Sequence, residues 1–149
     1  MKVNIYDNLG LKIVVSSDVW DVWSQHIQYN TKDSEACGII VGGYYPKSKK
    51  VILELCTPPK KKDKRKRFGF VLQDRSHQKI LNRIHKESDG KSFYLGTWHT
   101  HPEKQPSPSQ MDLTDWGKCV SRNRHSPVYV FSIIGIESVS IYTYRGINL

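Results

Sequence analysis

Cysteine is scarce in this chain, and its few instances lie far apart. Cys37, Cys56 and Cys119 are the only thiols in 149 residues, an odd count with no CxxC pair. That argues against a disulfide-stapled scaffold and predicts buried, reduced thiols in a cytoplasmic protein. Long apolar runs are also missing: none approaches the roughly 18 residues of a membrane span, so no membrane partner is expected. The opening Met1-Lys2-Val3-Asn4-Ile5-Tyr6-Asp7 lacks the continuous apolar core of a secretory signal. Acidic residues are in deficit, with 14 Asp plus Glu against 23 Lys plus Arg, which leaves a formal charge of +9. No recognised nucleic-acid motif or interleaved aromatic platform accompanies that excess, which argues against nucleic acid as a partner. No internal repeat is visible.

What is present describes a globular chain. Hydrophobic content of 38% and charged content of 25% exclude global disorder. The length fits one domain over residues 1–149, enough to bury about two-thirds of the unfolded surface. Val3 and Ile5, then residues 11–15, read as two short strands joined around the turn-rich Asp7-Asn8-Leu9-Gly10. A helix is predicted over residues 18–29, opened by Ser16, Ser17 and Asp18, with Val19, Trp20, Trp23 and Ile27 at helical spacing. Residues 38–45 and 51–56 look like paired strands across a turn at 46–50, and residues 68–72 like a further strand. Asp74 can open a second helix that carries Ile80, Leu81 and Ile84 and ends near Gly90. Residues 93–98 form a strand, Ser109 starts a third helix containing Leu113, Trp116 and Val120, and strands at 128–136 and 139–144 close the chain. Mixed elements without strict alternation imply an α+β (mixed α/β) class, with helices packed on a sheet.

The chemistry concentrates in Gly96-Thr97-Trp98-His99-Thr100-His101-Pro102, followed by Ser109 and Asp112. No second histidine cluster competes: His26, His77, His85 and His125 are scattered and read as surface or packed imidazoles. On a strand, side chains alternate faces, so His99 and His101 project to one side with Thr100 opposite. Asp112, in the first turn of the next helix, can bring its carboxylate back to both imidazoles. Two imidazoles and a carboxylate suit a catalytic zinc, which commonly takes three protein ligands and keeps a fourth position for water. A structural zinc is usually closed by four protein ligands, and no nearby cysteine supplies a fourth. Pro102, Pro106 and Pro108 restrict the intervening loop and lower the entropy lost in assembling the site. Ser109 and Asp112 also satisfy a capping spacing, which alone would explain them. A metal hydrolase needs a base as well. Glu35, in Glu35-Ala36-Cys37-Gly38 at a loop edge, is the leading candidate.

Glu35, His99-Thr100-His101-Pro102, Ser109 and Asp112 together resemble the signature of the JAB/MPN metalloenzymes, also called JAMM proteases. The resemblance covers nearly the whole chain, and every functional position of the signature is filled. It implies a twisted mixed sheet flanked by helices, similar to the cytidine deaminase architecture. It also implies one zinc ion held by His99, His101 and Asp112 plus a water, with Glu35 as general base and Ser109 as the hydrogen-bond donor to the oxyanion. The activity implied is zinc-dependent isopeptidase or peptidase cleavage that releases a C-terminally conjugated protein from its target. More narrowly, the chain is similar to stand-alone bacterial JAB proteins and to the deconjugating peptidases of antiphage CBASS operons. That likeness implies, as modifier, either a cGAS-like nucleotidyltransferase or a ubiquitin-like protein, with activating and conjugating enzymes in the same pathway. A RadC-like, nucleic-acid-associated JAB protein shares the pattern, and a non-catalytic metal-stabilised binding module is the reading from another class. Two further features bear on substrate. Lys60, Lys61, Lys62, Lys64, Arg65, Lys66 and Arg67 form a basic run that is either a solvated loop or a dock for an acidic partner. Trp98 flanks the motif and is placed either in the substrate-tail channel or in the core.

Overall fold

Two of the most apolar stretches of the chain become its central strands. In the computed structural model, which describes residues 1–67, 69–147 and 149, Cys37–Tyr45 forms β3 and Val128–Ile134 forms β8. Nearly every residue of both is buried, as expected of strands covered on both faces. The remaining strands of the main sheet are β1 (Lys2–Tyr6), β2 (Lys12–Val15), β4 (Lys50–Cys56), β7 (Phe93–Thr100) and β9 (Ser138–Arg145). Among the described residues, the α-helices are α1 (Ser17–Ser24), α2 (Ser76–Glu87) and α3 (Gln110–Arg122), with a 3-10 turn at Pro46–Ser48. The seven strands lie in the order β1-β9-β8-β7-β3-β4-β2. Strand β7 runs parallel to β8 and antiparallel to β3; β1 and β2 run parallel to β9 and β4. A mixed sheet with three helices is the expected α+β class, and no helix among the described residues is long and apolar enough to cross a membrane.

The two N-terminal strands stand at opposite edges of that sheet. Seven strands laid flat at about 4.8 Å spacing would separate their edges by about 29 Å. The link from Tyr6 to Lys12 reaches at most about 21 Å. The sheet is therefore curled, and Asp7 helps to pin the link by accepting from the Leu11 backbone at 2.8 Å and from the Thr143 hydroxyl of β9.

Side-chain alternation divides the interior into two clusters. Val128, Val130 and Ile134 of β8 pack on one face with Val19 and Trp23 of α1, Val51, Leu53 and Trp98. Tyr129, Phe131 and Ile133 pack on the other with Trp116 of α3. Trp116 stacks on Phe131 at 5.0 Å between centroids. It is core.

Two sequence expectations change here. Helix α1 stops at Ser24 instead of continuing to residue 29, because buried Gln28 is drawn inward. Its amide donates to the Asp33 carbonyl and its Oε1 accepts from the Thr100 hydroxyl, partners that a continuing helix would not reach. The basic run is not all loop. Lys64–Lys66 forms β5 and pairs antiparallel with β6 (Gly69–Val71) as a separate two-stranded sheet. Phe68, expected to begin that strand, lies outside the described residues.

Candidate active site

A bulge aims the histidines. Ile40 pairs with Gly96 and Val41 with Tyr94, so Leu95 has no partner of its own on β3. The extra residue resets the alternation of β7. Leu95 and Trp98 face the α1 side, whereas Tyr94 packs with the Trp116 cluster. His99 follows Trp98 and faces the α3 side, where Asp112 meets it. His101 continues the parallel pairing just past the strand, its N–H donating to the Ile134 carbonyl at 3.0 Å. The proline loop is zipped to the β8–β9 turn and to β9: Ile136 N–H donates to the Glu103 carbonyl and the Ser140 hydroxyl to the Pro106 carbonyl, both at 2.8 Å.

Helix α3 begins at the site with both the cap and the carboxylate in use. Ser109 Oγ accepts from the Asp112 N–H at 3.1 Å, and Asp112 Oδ2 accepts from the Ser109 N–H at 2.8 Å. The same carboxylate faces the imidazoles, with Oδ1 3.3 Å from His99 Nε2 and Oδ2 3.2 Å from His101 Nε2. The two Nε2 atoms are 3.1 Å apart. The capping and ligand readings of Asp112 are thus compatible. These three buried residues each offer one ligand atom within 4.8 Å of the others, a set able to hold a metal ion. Burial keeps His99 below its ordinary value, favouring the neutral, ligating imidazole. Burial also works to lower His101, but hydrogen bonding to Asp112 and Glu103 outweighs it and leaves that ring raised. Asp112 is pushed up by burial and pulled much further down by His101 and His99, ending far below the usual carboxylate range.

Glu35 reaches the same point from just ahead of the neighbouring strand β3, whose Cys37 pairs with His99. Its Oε1 is 3.7 Å from His101 Nε2, and its Oε2 is buried with no hydrogen-bond partner. Burial pushes its carboxyl up to about 7, with His101 pulling it down and Asp112 adding to the rise. Four backbone ties fix it. Ala36 N–H donates to Thr100 Oγ1 at 2.9 Å and Thr100 N–H to the Ala36 carbonyl at 3.0 Å. Glu35 N–H donates to the Lys66 carbonyl, and Arg65 Nε to the Glu35 carbonyl, both at 2.8 Å. Glu35, His101, Ser109 and Asp112 line one cleft of about 470 Å³, whose outer wall includes Arg67, Gly69 and Phe70.

Of the residues expected to touch substrate, Arg67 lines the cleft, and Arg65 and Lys66 hold the Glu35 backbone. Lys61, Lys62 and Lys64 are exposed and Lys60 is half-buried. Trp98 is a correction. It is 0% exposed, and its indole donates to the Thr57 carbonyl at 2.9 Å within the core, so it cannot line a substrate channel. Three contributors were not legible. Glu103 accepts from or pairs with His101 Nδ1 at 2.8 Å. Thr100, between the histidines, orients the Glu35 loop from the opposite face. His77, placed among the scattered imidazoles, is buried and bonded at both ring nitrogens.

Residues 17–143 match the prokaryotic homologs of the JAB domain. The chain belongs to that JAB family. This JAB protein is 30% identical over 131 residues to a Pseudomonas aeruginosa protein named CD-NTase/cGAS isopeptidase, covering 88% of this chain and 82% of that one. It is 29% identical over 110 residues to an Escherichia coli protein of the same name, covering 74% and 69%. The solution structure of a Desulfitobacterium hafniense protein aligns with a TM-score of 0.53 at 20% identity, over 82% of the JAB chain and 73% of the other, a likeness of fold.

Proposed function

We propose that this JAB protein is a zinc-dependent isopeptidase. Its substrate class is a protein whose C-terminal carboxyl is amide-linked to a target amine, and the names of its relatives favour a cGAS-like nucleotidyltransferase as the conjugated protein. A CBASS-type pathway with activating and conjugating enzymes would supply that substrate. The observation that carries the reading is the His99–His101–Asp112 triangle with the unpartnered Glu35 carboxylate oxygen beside it. The triangle fits zinc. Tetrahedral ligand atoms about 2.0–2.1 Å from the ion lie roughly 3.3 Å from one another; here the two Nε2 atoms are 3.1 Å apart, His99 Nε2 is 3.3 Å from Asp112 Oδ1 and His101 Nε2 is 3.2 Å from Oδ2, and one ligand atom of each residue lies within 4.8 Å of the others. Zinc held there supplies Lewis acidity toward the scissile carbonyl and activates water at neutral pH.

The chain's own groups supply the rest. Glu35 takes a proton from the attacking water at its carboxylate, and a carboxyl poised near neutrality suits that task. It then gives the proton to the amine nitrogen as the C–N bond breaks, so that water is added across that bond. Ser109 Oγ accepts from Asp112 N–H and keeps its own proton, which it donates to the oxyanion. The N-terminus of α3 adds a favourable dipole to that charge. Ser109 is therefore a stabilising donor and not a nucleophile.

The test is Glu35→Gln assayed on a purified conjugate of such a nucleotidyltransferase. Zinc content should stay at one equivalent while kcat falls by about 10²–10⁴-fold. Unchanged turnover would remove the general-base assignment, and an inert wild-type protein on conjugates of every class tried would remove the isopeptidase reading.

A further inference from the structure

The β5–β6 hairpin should not hold itself in place. It is a two-stranded sheet of three-residue strands, largely exposed, and such a hairpin is marginal on its own. Yet it forms a wall of the cleft and bonds the Glu35 backbone on both sides. Its root explains how it stays put. Asp63, in the middle of the basic run, has a fully buried side chain. Its Oδ1 accepts from the Gln73 N–H at 3.0 Å and the Asp74 N–H at 2.9 Å, and its Oδ2 from the Lys60 N–H at 2.9 Å and from His77 Nε2. Four bonds fill the acceptor capacity of a carboxylate. They join the chain entering the hairpin to the chain leaving it. Lys62 N–H adds a second tie across the root, to Asp74 Oδ2 at 3.0 Å.

The ties continue into the sheet. With His77 Nε2–H donating to Asp63, Nδ1 accepts from the Thr57 hydroxyl at 2.6 Å. Thr57 Oγ1 in turn accepts from the Ile39 N–H at 2.9 Å, four residues past Glu35. Every donor in this chain meets an acceptor, with no proton left over. A hydroxyl–imidazole–carboxylate series invites comparison with a nucleophilic triad. Thr57 is 0% exposed and its oxygen is committed to Ile39, so it presents nothing to a substrate.

We propose that Asp63 and His77 are positioning residues. The Thr57–His77–Asp63 chain clasps the hairpin to β3, β4 and α2, and so sets both the height of the cleft wall and the place of Glu35. Phe70, carried by the hairpin, lines this cleft and a neighbouring one beside His77, and its ring centre is 5.0 Å from that of His99. A hairpin released at its root moves Phe70 and frees the carbonyl of Lys66 from Glu35. His99 on β7, His101 just past its end and Asp112 on α3 lie outside the clasp and stay where they are.

This inference rests on the isopeptidase reading of the cleft, and its test separates the two. His77→Phe keeps a ring but removes both bonds, Asp63→Asn keeps the shape but loses acceptor capacity, and His77→Gln restores a donor toward Asp63. In the full chain loaded with zinc, the first two should keep one equivalent of metal. Amide exchange at Glu35 and in residues 69–71 should quicken by about tenfold or more, as local opening of a weakly held unit does, with β8 amides unchanged. On the conjugate, kcat/KM should fall by about tenfold, the loss shared between KM and kcat, and His77→Gln should recover most of it. Unchanged exchange at Glu35, or exchange that quickens equally in β8, would overturn the clasp. So would an unaltered kcat/KM in His77→Phe. A wild-type protein that cleaves nothing counts against the isopeptidase reading alone, because the exchange comparison still judges the clasp.

Discussion

The proposed metal-ligand side of the cleft comes from residues 99–112, one strand end, one loop and one helix start, whereas the opposite side is gathered from residue 35 and from residues 57–77, which include the hairpin. The first is built by local rules. Strand alternation, a capping box and a proline-restricted loop bring His99, His101 and Asp112 together at small entropic cost. The second depends on bonds between residues up to 64 positions apart, from the Thr100 grip on Ala36 to the Asp63 clasp. A side made locally holds its geometry when its neighbours move. A side made by scattered polar ties can shift without unfolding, and its base and substrate wall shift together.

The sharpest way to break that comparison is Asp112→Ala, for which the largest effect is expected. It removes a ligand and one half of the capping box. Zinc content should fall from one equivalent toward none, and turnover by about 10³-fold or more, as several kcal/mol of transition-state stabilisation are lost. The metal-free protein should lose about 1 kcal/mol of stability through the cap alone. Thermal unfolding of the apo forms measures the second effect, and metal analysis of the loaded forms measures the first. Retention of a full equivalent of zinc would show that the ligand side is not the triangle described.

A smaller effect is expected one step outward. Glu103 holds His101 Nδ1 at 2.8 Å, which leaves Nε2 facing Asp112 and free to ligate the proposed zinc. Its side chain is 48% exposed, so water can partly replace it. Glu103→Ala should therefore weaken zinc binding by about tenfold, near the lower end for such outer partners. A competition titration with a chromophoric chelator reads this directly. An unchanged affinity would mean that the loop backbone, and not the carboxylate, orients His101.

The same contrast explains what could be read from the amino-acid order. His-x-His on a strand and Ser-x-x-Asp at a helix start are periodic and short-range, so their convergence follows from strand and helix geometry. Glu35 carries no such signal. It is singled out by the need for a base and by the family resemblance, because its 64-residue separation from His99 is bridged by sheet order and not by spacing. His77 looks like an ordinary helical imidazole, and Asp63 like a solvated charge among lysines. Nothing periodic marks two residues that meet across a hairpin root. Trp98 shows the reverse failure: adjacency to the motif suggested contact with substrate, while alternation sends it to the opposite face. The turn at residues 7–10 was legible, but not that it joins opposite edges of a curled sheet.

The lysines at the root of the hairpin supply the smallest effect and the finest test of how the two sides divide their work. Lys61, Lys62 and Lys64 are exposed, and Lys60 is half-buried. None lines the cleft, so none is placed to alter the chemical step. Their charge can still draw an acidic surface of the substrate toward the wall that Phe70 and Arg67 provide. Changing Lys61, Lys62 and Lys64 together to Gln leaves the backbone bonds of Asp63 and Asp74 intact. KM for the conjugate should rise a few-fold, on the order of 3–10-fold at low salt, with kcat unchanged. Added salt should shrink the difference, since charges more than about 8 Å apart are largely screened at physiological ionic strength. A drop in kcat instead would mean that the lysines act through the clasp, making the hairpin's charge and its position one device. An unchanged KM at low salt would leave these three lysines as a solvated surface, the part of the basic run at the cleft being Arg67 in its wall and the ties of Arg65, Lys66 and Asp63.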